Sequence, residues 1–210
     1  MLLLTLLACQ PDATDDTGDT AENVAEPVAM EVPTAGCGAP AYSFLSTEEM
    51  GVVIDSDIPD GLTISADTIT LLLSGFADTG SIPAVQHGVI THNVRYTTQD
   101  RGQAVEATGM VVYPDVDTAQ TFPTVLWLHP TMGFSDACAP TAVGLEGAAF
   151  PMLFASMGFV VVAPDYLGMA GWGAASQMGH PYVIAEPTAI ASLDMLLSLI
   201  HISEPTRRYE

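Results

Sequence analysis

Hydrophobic and polar positions change rhythm along the chain, and the changes mark out its elements. From His87 to Thr97 they alternate, Gln99-Asp100-Arg101-Gly102 has turn chemistry, and alternation resumes from Ala104 to Tyr113. That pattern predicts an antiparallel hairpin. Pro123 to Leu128 and Phe159 to Ala163 are instead apolar almost without a break, as parallel strands covered on both faces are. Between them Ala148 to Met157 is too long and too rich in Ala, Met, Leu and Phe for a strand, and Gly158 stands where a helix C-cap belongs. The run from Phe122 to Tyr166 is therefore predicted to be a βαβ unit. Glu186-Pro187-Thr188 opens a further apolar helix, Ala189 to about Leu197, with proline acceptable in its first turn. Ala41 to Pro83 is the least legible part: Leu62 to Phe76 reads as a strand, a short helix, or both in sequence. An antiparallel start followed by a parallel unit describes an α/β fold with a mixed sheet.

In such sheets the chemistry collects at the carboxyl ends of the strands. That directs attention to His129-Pro130-Thr131-Met132-Gly133 and to Asp165 through Gly168. The loop from Leu167 to Tyr182, with Gly168, Gly171, Gly173 and Gly179, lies over a strand end and is expected to line a site. His87 and His92 fall on opposite faces of one strand, which argues against a shared metal. No Cys-x-x-Cys or His/Cys cluster has metal-ligand spacing, so neither a metal nor a cofactor is expected.

A chain of 210 residues, 49% hydrophobic, suits a single domain. Its 25 acidic residues against 4 arginines, with no lysine, give a net charge of -21. Such a surface repels nucleic acid, which excludes a DNA- or RNA-binding role. Met1 to Ala8 is an apolar run too short to span a bilayer and stops at Cys9. Residues 10–36 are rich in Asp, Glu, Thr, Ala and Pro and cannot bury enough surface to offset their ordering entropy; they are expected to form a disordered acidic tether. Asp15, Asp16 and Asp19 within it lack the glycine and terminal glutamate of an EF-hand. The folded domain is expected over residues 37–196. Cys37 and Cys138 within it are either a disulfide closing a loop of about a hundred residues, worth several kcal/mol, or two buried thiols.

Two end segments resemble processing or cloning sequences. Leu6-Leu7-Ala8-Cys9 resembles a bacterial lipobox, although no basic residues precede it; the resemblance implies lipidation of Cys9, and Gln10 after it implies outer-membrane sorting in a Gram-negative cell. Leu197 through Arg207 resembles the translation of a transposon adapter used in making sequencing libraries. Residues 197–210 are thus expected to be an artefactual tail, which sets His201 aside as a catalytic candidate.

The stretch from Gln86 to Leu196 resembles the N-terminal portion of an α/β-hydrolase, more narrowly of the secretory lipase family. The likeness rests on His129-Pro130-Thr131-Met132-Gly133 leading to Cys138-Ala139-Pro140, on Gly158 through Gly168, and on His180-Pro181-Tyr182 followed by Ala185-Glu186-Pro187-Thr188-Ala189. It implies a lipid-anchored ester hydrolase acting on an ester or lipid substrate, with its serine in a Gly-x-Ser-x-Gly elbow on the next strand. No such motif is present, so the triad is expected to lie outside this chain, leaving the chain inactive and the strand Phe159 to Ala163 with an open edge. Ser135 and Ser176 are poor substitutes for the nucleophile. The resemblance assigns the oxyanion-hole turn to Thr131, Met132 or Gly133, the orienting of that turn to His129, the bracing of the loop backbone to Asp165, and pocket lining to Tyr166, Trp172 and Tyr182. The rival readings are a non-catalytic surface lipoprotein with an α/β ligand-binding domain, and a peptidase of the same fold.

Overall fold

The computed structural model describes residues 45–74, 84–173 and 178–203. Cys9, Cys37, the tether and Ser176 lie outside them. Six strands form one mixed sheet: β1 (Val53–Asp57), β2 (Thr63–Ile64), β3 (Gly88–Asp100), β4 (Gln103–Asp115), β5 (Thr124–Leu126) and β6 (Val160–Pro164). Three α-helices accompany them: α1 (Ala66–Ser74), α2 (Leu145–Ser156) and α3 (Ala185–Ser203). The segment that was illegible in sequence supplies β1, β2 and α1.

The sheet order is β1-β3-β4-β6-β5, with β2 pairing on β3. The expected hairpin is β3–β4, in register from Gly88↔Asp115 to Asp100↔Gln103. Its two loop residues, Arg101 and Gly102, both have positive φ, 49° and 76°. That geometry matches the right-handed twist of the strands, and the Arg101 guanidinium clamps back onto Asp100 at 2.9 Å. β6 pairs antiparallel with β4 and parallel with β5. α2 connects β5 to β6, so the expected βαβ unit is present; Gly158, at φ +94°, closes the helix just beyond its C-cap Met157.

Two expectations about these strands need correcting. β6 has no open edge, since β4 and β5 flank it; among the described residues the ends of the sheet are β1 and β5, so it is β5 whose outer edge is unpaired on this side. β5 is also shorter and less covered than its apolar run implies: Thr124 and Leu128 are exposed. An unbroken apolar run reports strand character but not which strand ends up central, because that depends on a partner remote in sequence.

Pairing places alternate residues on opposite faces. Val89, Met110, Val112, Val161 and Ala163 pack beneath Ile69 of α1 and Ala148, Met152 and Ala155 of α2. Val94, Tyr96, Val111 and Val162 pack against Ala191 and Met195 of α3. The result is a three-layer α/β/α arrangement. α3 starts a few residues earlier than expected, at Ala185, and runs across Leu196 without a break, with Ser198 buried. Among the described residues no helix is long and apolar enough to cross a membrane.

Candidate active site

The carboxyl ends of β5 and β6 lie side by side, Leu126 opposite Val162 and the Trp127 amide donating to the Val162 carbonyl at 2.8 Å. The chain leaving β6 therefore runs directly behind the turn leaving β5. His129, Thr131, Met132, Gly133, Asp165, Tyr166 and Tyr182 all gather at this end of the sheet.

Asp165 anchors the arrangement. It is fully buried, and its carboxylate accepts from Thr108 Oγ1 at 2.6 Å, from the Thr141 amide at 3.0 Å, and from the Thr141 hydroxyl. Burial pushes its carboxyl above the ordinary range, against the opposing pull of the hydrogen bonds from Thr108 and Thr141 and of the neighbouring His129. The carboxylate meets hydroxyls and a peptide N–H, not an imidazole nitrogen. It holds strand β4, the end of β6 and the loop before α2 together, which is the geometry of a brace and not of a triad acid. Two close approaches tighten this corner. A Cβ on Gly168, where φ is +76°, would lie 2.6 Å from the Gly179 carbonyl, and one on Gly171 would fall within 2.5 Å of the Ala142 backbone nitrogen.

His129 is buried between the two turns. Its Nδ1 lies 2.8 Å from the Pro130 carbonyl and its Nε2 3.3 Å from the Asp165 carbonyl. The shorter contact assigns the proton to Nδ1, which donates to Pro130 O. Both nitrogens face backbone oxygens, so neither is presented to a substrate. Tyr166 stacks on the imidazole at a centroid distance of 3.9 Å and donates its hydroxyl to the His129 carbonyl at 2.8 Å. Burial raises the Tyr166 phenol above its usual range, which keeps the hydroxyl a donor. Tyr166 holds φ at +70°, a left-handed conformation costing roughly 1–2 kcal/mol for a residue with a Cβ.

The rings extend into a series. Trp127 neighbours His129, and on the other side His180 stacks on Tyr166 at 6.2 Å with Tyr182 edge-on beyond it. Tyr166 and Tyr182 are thus brought together, through a His180 fixed by its Nδ1 on the Leu167 carbonyl at 2.7 Å. Trp172 is not part of the series; it is half-buried and makes no ring contact among the described residues.

The turn itself is exposed at Thr131 and half-buried at Met132 and Gly133. Gly133 has φ +136°, and a Cβ there would collide with Cys138 Sγ at 2.5 Å. Only glycine allows the chain to fold against the buried Cys138. Among the described residues nothing accepts a hydrogen bond from the backbone N–H of Thr131, Met132 or Gly133. Three successive peptide donors at the end of β5 are thus left without a protein acceptor, and unpaired peptide N–H groups of this kind suit an anion or a developing oxyanion. Ser135 Oγ lies 3.3 Å from Cys138 Sγ and has no imidazole beside it. His201 sits in the last turn of α3, away from the strand-end turns in the chain's order. Cys37 lies outside the described residues, so the geometry of a pair with Cys138 does not enter.

Sequence reasoning missed Thr108, Thr141 and His180 as members of the site. Thr108 is one threonine among several in an alternating strand, and only the docking of β6 beside β4 brings it to Asp165.

No protein-family model matches the chain, and no curated protein does. Solved structures do. A candidate hydrolase from Legionella pneumophila superposes with a TM-score of 0.59 at 22% identity, over 73% of this chain and 40% of that one. The rice cell wall degrading esterase LipA from Xanthomonas oryzae gives 0.56 at 23% identity, over 74% and 38%. The fold is thus α/β-hydrolase-like, and this chain spans about 40% of the length of the structures it resembles.

Proposed function

We propose that this chain is the N-terminal part of a serine-dependent carboxylic ester hydrolase of the secretory lipase type. It supplies the oxyanion-binding turn, while the nucleophile, acid and histidine lie outside the residues given. The single observation that carries the reading is the row of N–H groups without a protein acceptor at Thr131, Met132 and Gly133, at the carboxyl end of β5, in a turn tied down through His129 by Asp165 and Tyr166. Attack on an ester carbonyl places negative charge on its oxygen, and preorganised donors there stabilise the transition state by about 3–4 kcal/mol each. Water then releases the acid from the acyl-serine. The hydrolase and esterase among the structures with this fold support an ester substrate. The strand bearing the serine would add to the outer edge of β5, and without it the chain is inactive and its apolar residues there, such as Leu128, stay wet. Lipidation at Cys9 would anchor the enzyme outside the cytoplasm, with residues 10–36 as its tether and the tail from Leu197 foreign to it.

The test is to read the source gene through the codon for Leu196. An apolar strand and a Gly-x-Ser-x-Gly elbow are expected within about thirty residues, with p-nitrophenyl ester hydrolysis by the uninterrupted product. A continuation without the elbow overturns the reading in favour of a ligand-binding lipoprotein.

A further inference from the structure

The three open amides are not equivalent, and the contacts behind them single one out. A trans peptide is planar, with its C=O and N–H pointing in opposite directions. The Pro130 carbonyl and the Thr131 N–H share one such plane. His129 Nδ1 draws the Pro130 oxygen inward at 2.8 Å, so the Thr131 N–H is driven outward, toward the exposed side of the turn. The next peptide upstream is pinned as well, because the Tyr166 hydroxyl holds the His129 carbonyl at 2.8 Å. The imidazole that performs the first task is itself kept in place by the Tyr166 ring, 3.9 Å away and tilted by 26°, and by the Asp165 carbonyl.

We propose that Tyr166 is a positioning residue that acts through His129 to aim the Thr131 N–H, and that Thr131 is the donor the turn presents to an oxyanion. The left-handed backbone at Tyr166 fits this role. Glycine or asparagine would adopt φ +70° with less strain, yet neither could lay a ring on His129 while reaching its carbonyl with a hydroxyl. The ring and the hydroxyl contact the same residue from two directions, so the orientation of the turn depends on one side chain of the neighbouring strand end. Pocket lining, the role first expected of Tyr166, does not account for the bond to a backbone carbonyl.

This inference rests on the ester-hydrolase reading for its chemistry but not for its geometry, and the experiment separates the two. On the uninterrupted gene product, Tyr166→Phe keeps the stack and removes the bond. With p-nitrophenyl acetate, kcat is expected to fall about ten- to a hundredfold with KM within about twofold, as for a slightly misplaced catalytic group. The steady-state heteronuclear NOE of the Thr131 amide should fall in the same variant, reporting a turn released from its hold. His129→Asn, which keeps a nitrogen donor near the place of Nδ1, should recover much of the kcat lost in His129→Ala. Wild-type hydrolysis with an unaltered kcat in Tyr166→Phe overturns the positioning role and leaves the hydrolase reading standing. An inactive wild type overturns the hydrolase reading, and the Thr131 NOE then decides alone: an unchanged value in Tyr166→Phe overturns the positioning role.

Discussion

The turns that leave β5 and β6 begin side by side and are built on opposite principles. After β6, Asp165 is sealed from solvent, its carboxylate takes hydrogen bonds from Thr108 and Thr141, and Gly168 packs against backbone closely enough to exclude any Cβ. After β5, Thr131 is exposed and three consecutive amides have no acceptor among the described residues. The difference teaches how the sheet end divides its labour. Buried donors left unpaired are costly, and the Thr108 hydroxyl and the Thr141 amide and hydroxyl all reach the Asp165 carboxylate, which serves as a fixed support even though the Leu167 and Gly168 amides have no acceptor among the described residues. The β5 turn, exposed at Thr131 and half-buried at Met132 and Gly133, has no such carboxylate behind its amides. His129 is the hinge between the two, buried with the first and bonded to the second.

Substitutions can break that contrast or sharpen it. Asp165→Ala should do most damage, because it strands the Thr108 and Thr141 donors in the interior; a loss of about 3 kcal/mol in urea denaturation is expected, and a loss under about 1 kcal/mol would show that the support lies elsewhere. Gly168→Ala should cost about 2 kcal/mol, since the new methyl meets the Gly179 carbonyl at a φ that disfavours it.

A pH measurement tests whether buried carboxylates are a feature of the β6 turn alone. Asp194 on α3 accepts from Thr98 Oγ1 at 2.7 Å, and burial raises its carboxyl above the ordinary 3.8 despite that bond. A folded-state pKa above the unfolded one means the native state holds the proton more tightly. The contribution to stability is therefore fully present below the unfolded pKa and is lost as pH rises through the folded one. Asp194→Asn keeps an acceptor for Thr98 without the charge. It should be more stable than wild type at pH 7, and the advantage should shrink as the pH is lowered toward 4, as read from paired urea titrations; a gap that does not change with pH would contradict the buried charge. At the small end, Thr131→Ala should change stability by less than about 0.5 kcal/mol, as an exposed side chain with no hydrogen bond among the described residues. A larger loss would mean that the β5 turn bears load as the β6 turn does.

Much of this was legible in the chain. The hairpin appeared because alternation and a Gln99-Asp100-Arg101-Gly102 turn are local signals, and α2 because its length and Gly158 are. That the ends of β5 and β6 lie side by side was legible too, since it follows from strand direction alone. The segment before Pro83 was not legible: β1 and β2 are short, β1 is largely exposed, and both are strands only because β3 offers them an edge. The left-handed backbone of Tyr166 was not legible either, because nothing in its sequence neighbourhood announces a positive φ.

The sequence by itself determined the strands and helices from His87 onward, that the sheet is mixed, and the sign of the charge, because periodicity and composition are properties of neighbours along the chain. Tertiary structure alone decided that β6 is interior and β5 lies at an edge, that Thr108 and Thr141 meet Asp165, and that Tyr166 grips His129. Each of those contacts joins residues far apart in the chain, and hydrogen-bond partners chosen by folding leave no mark on either residue's own neighbourhood.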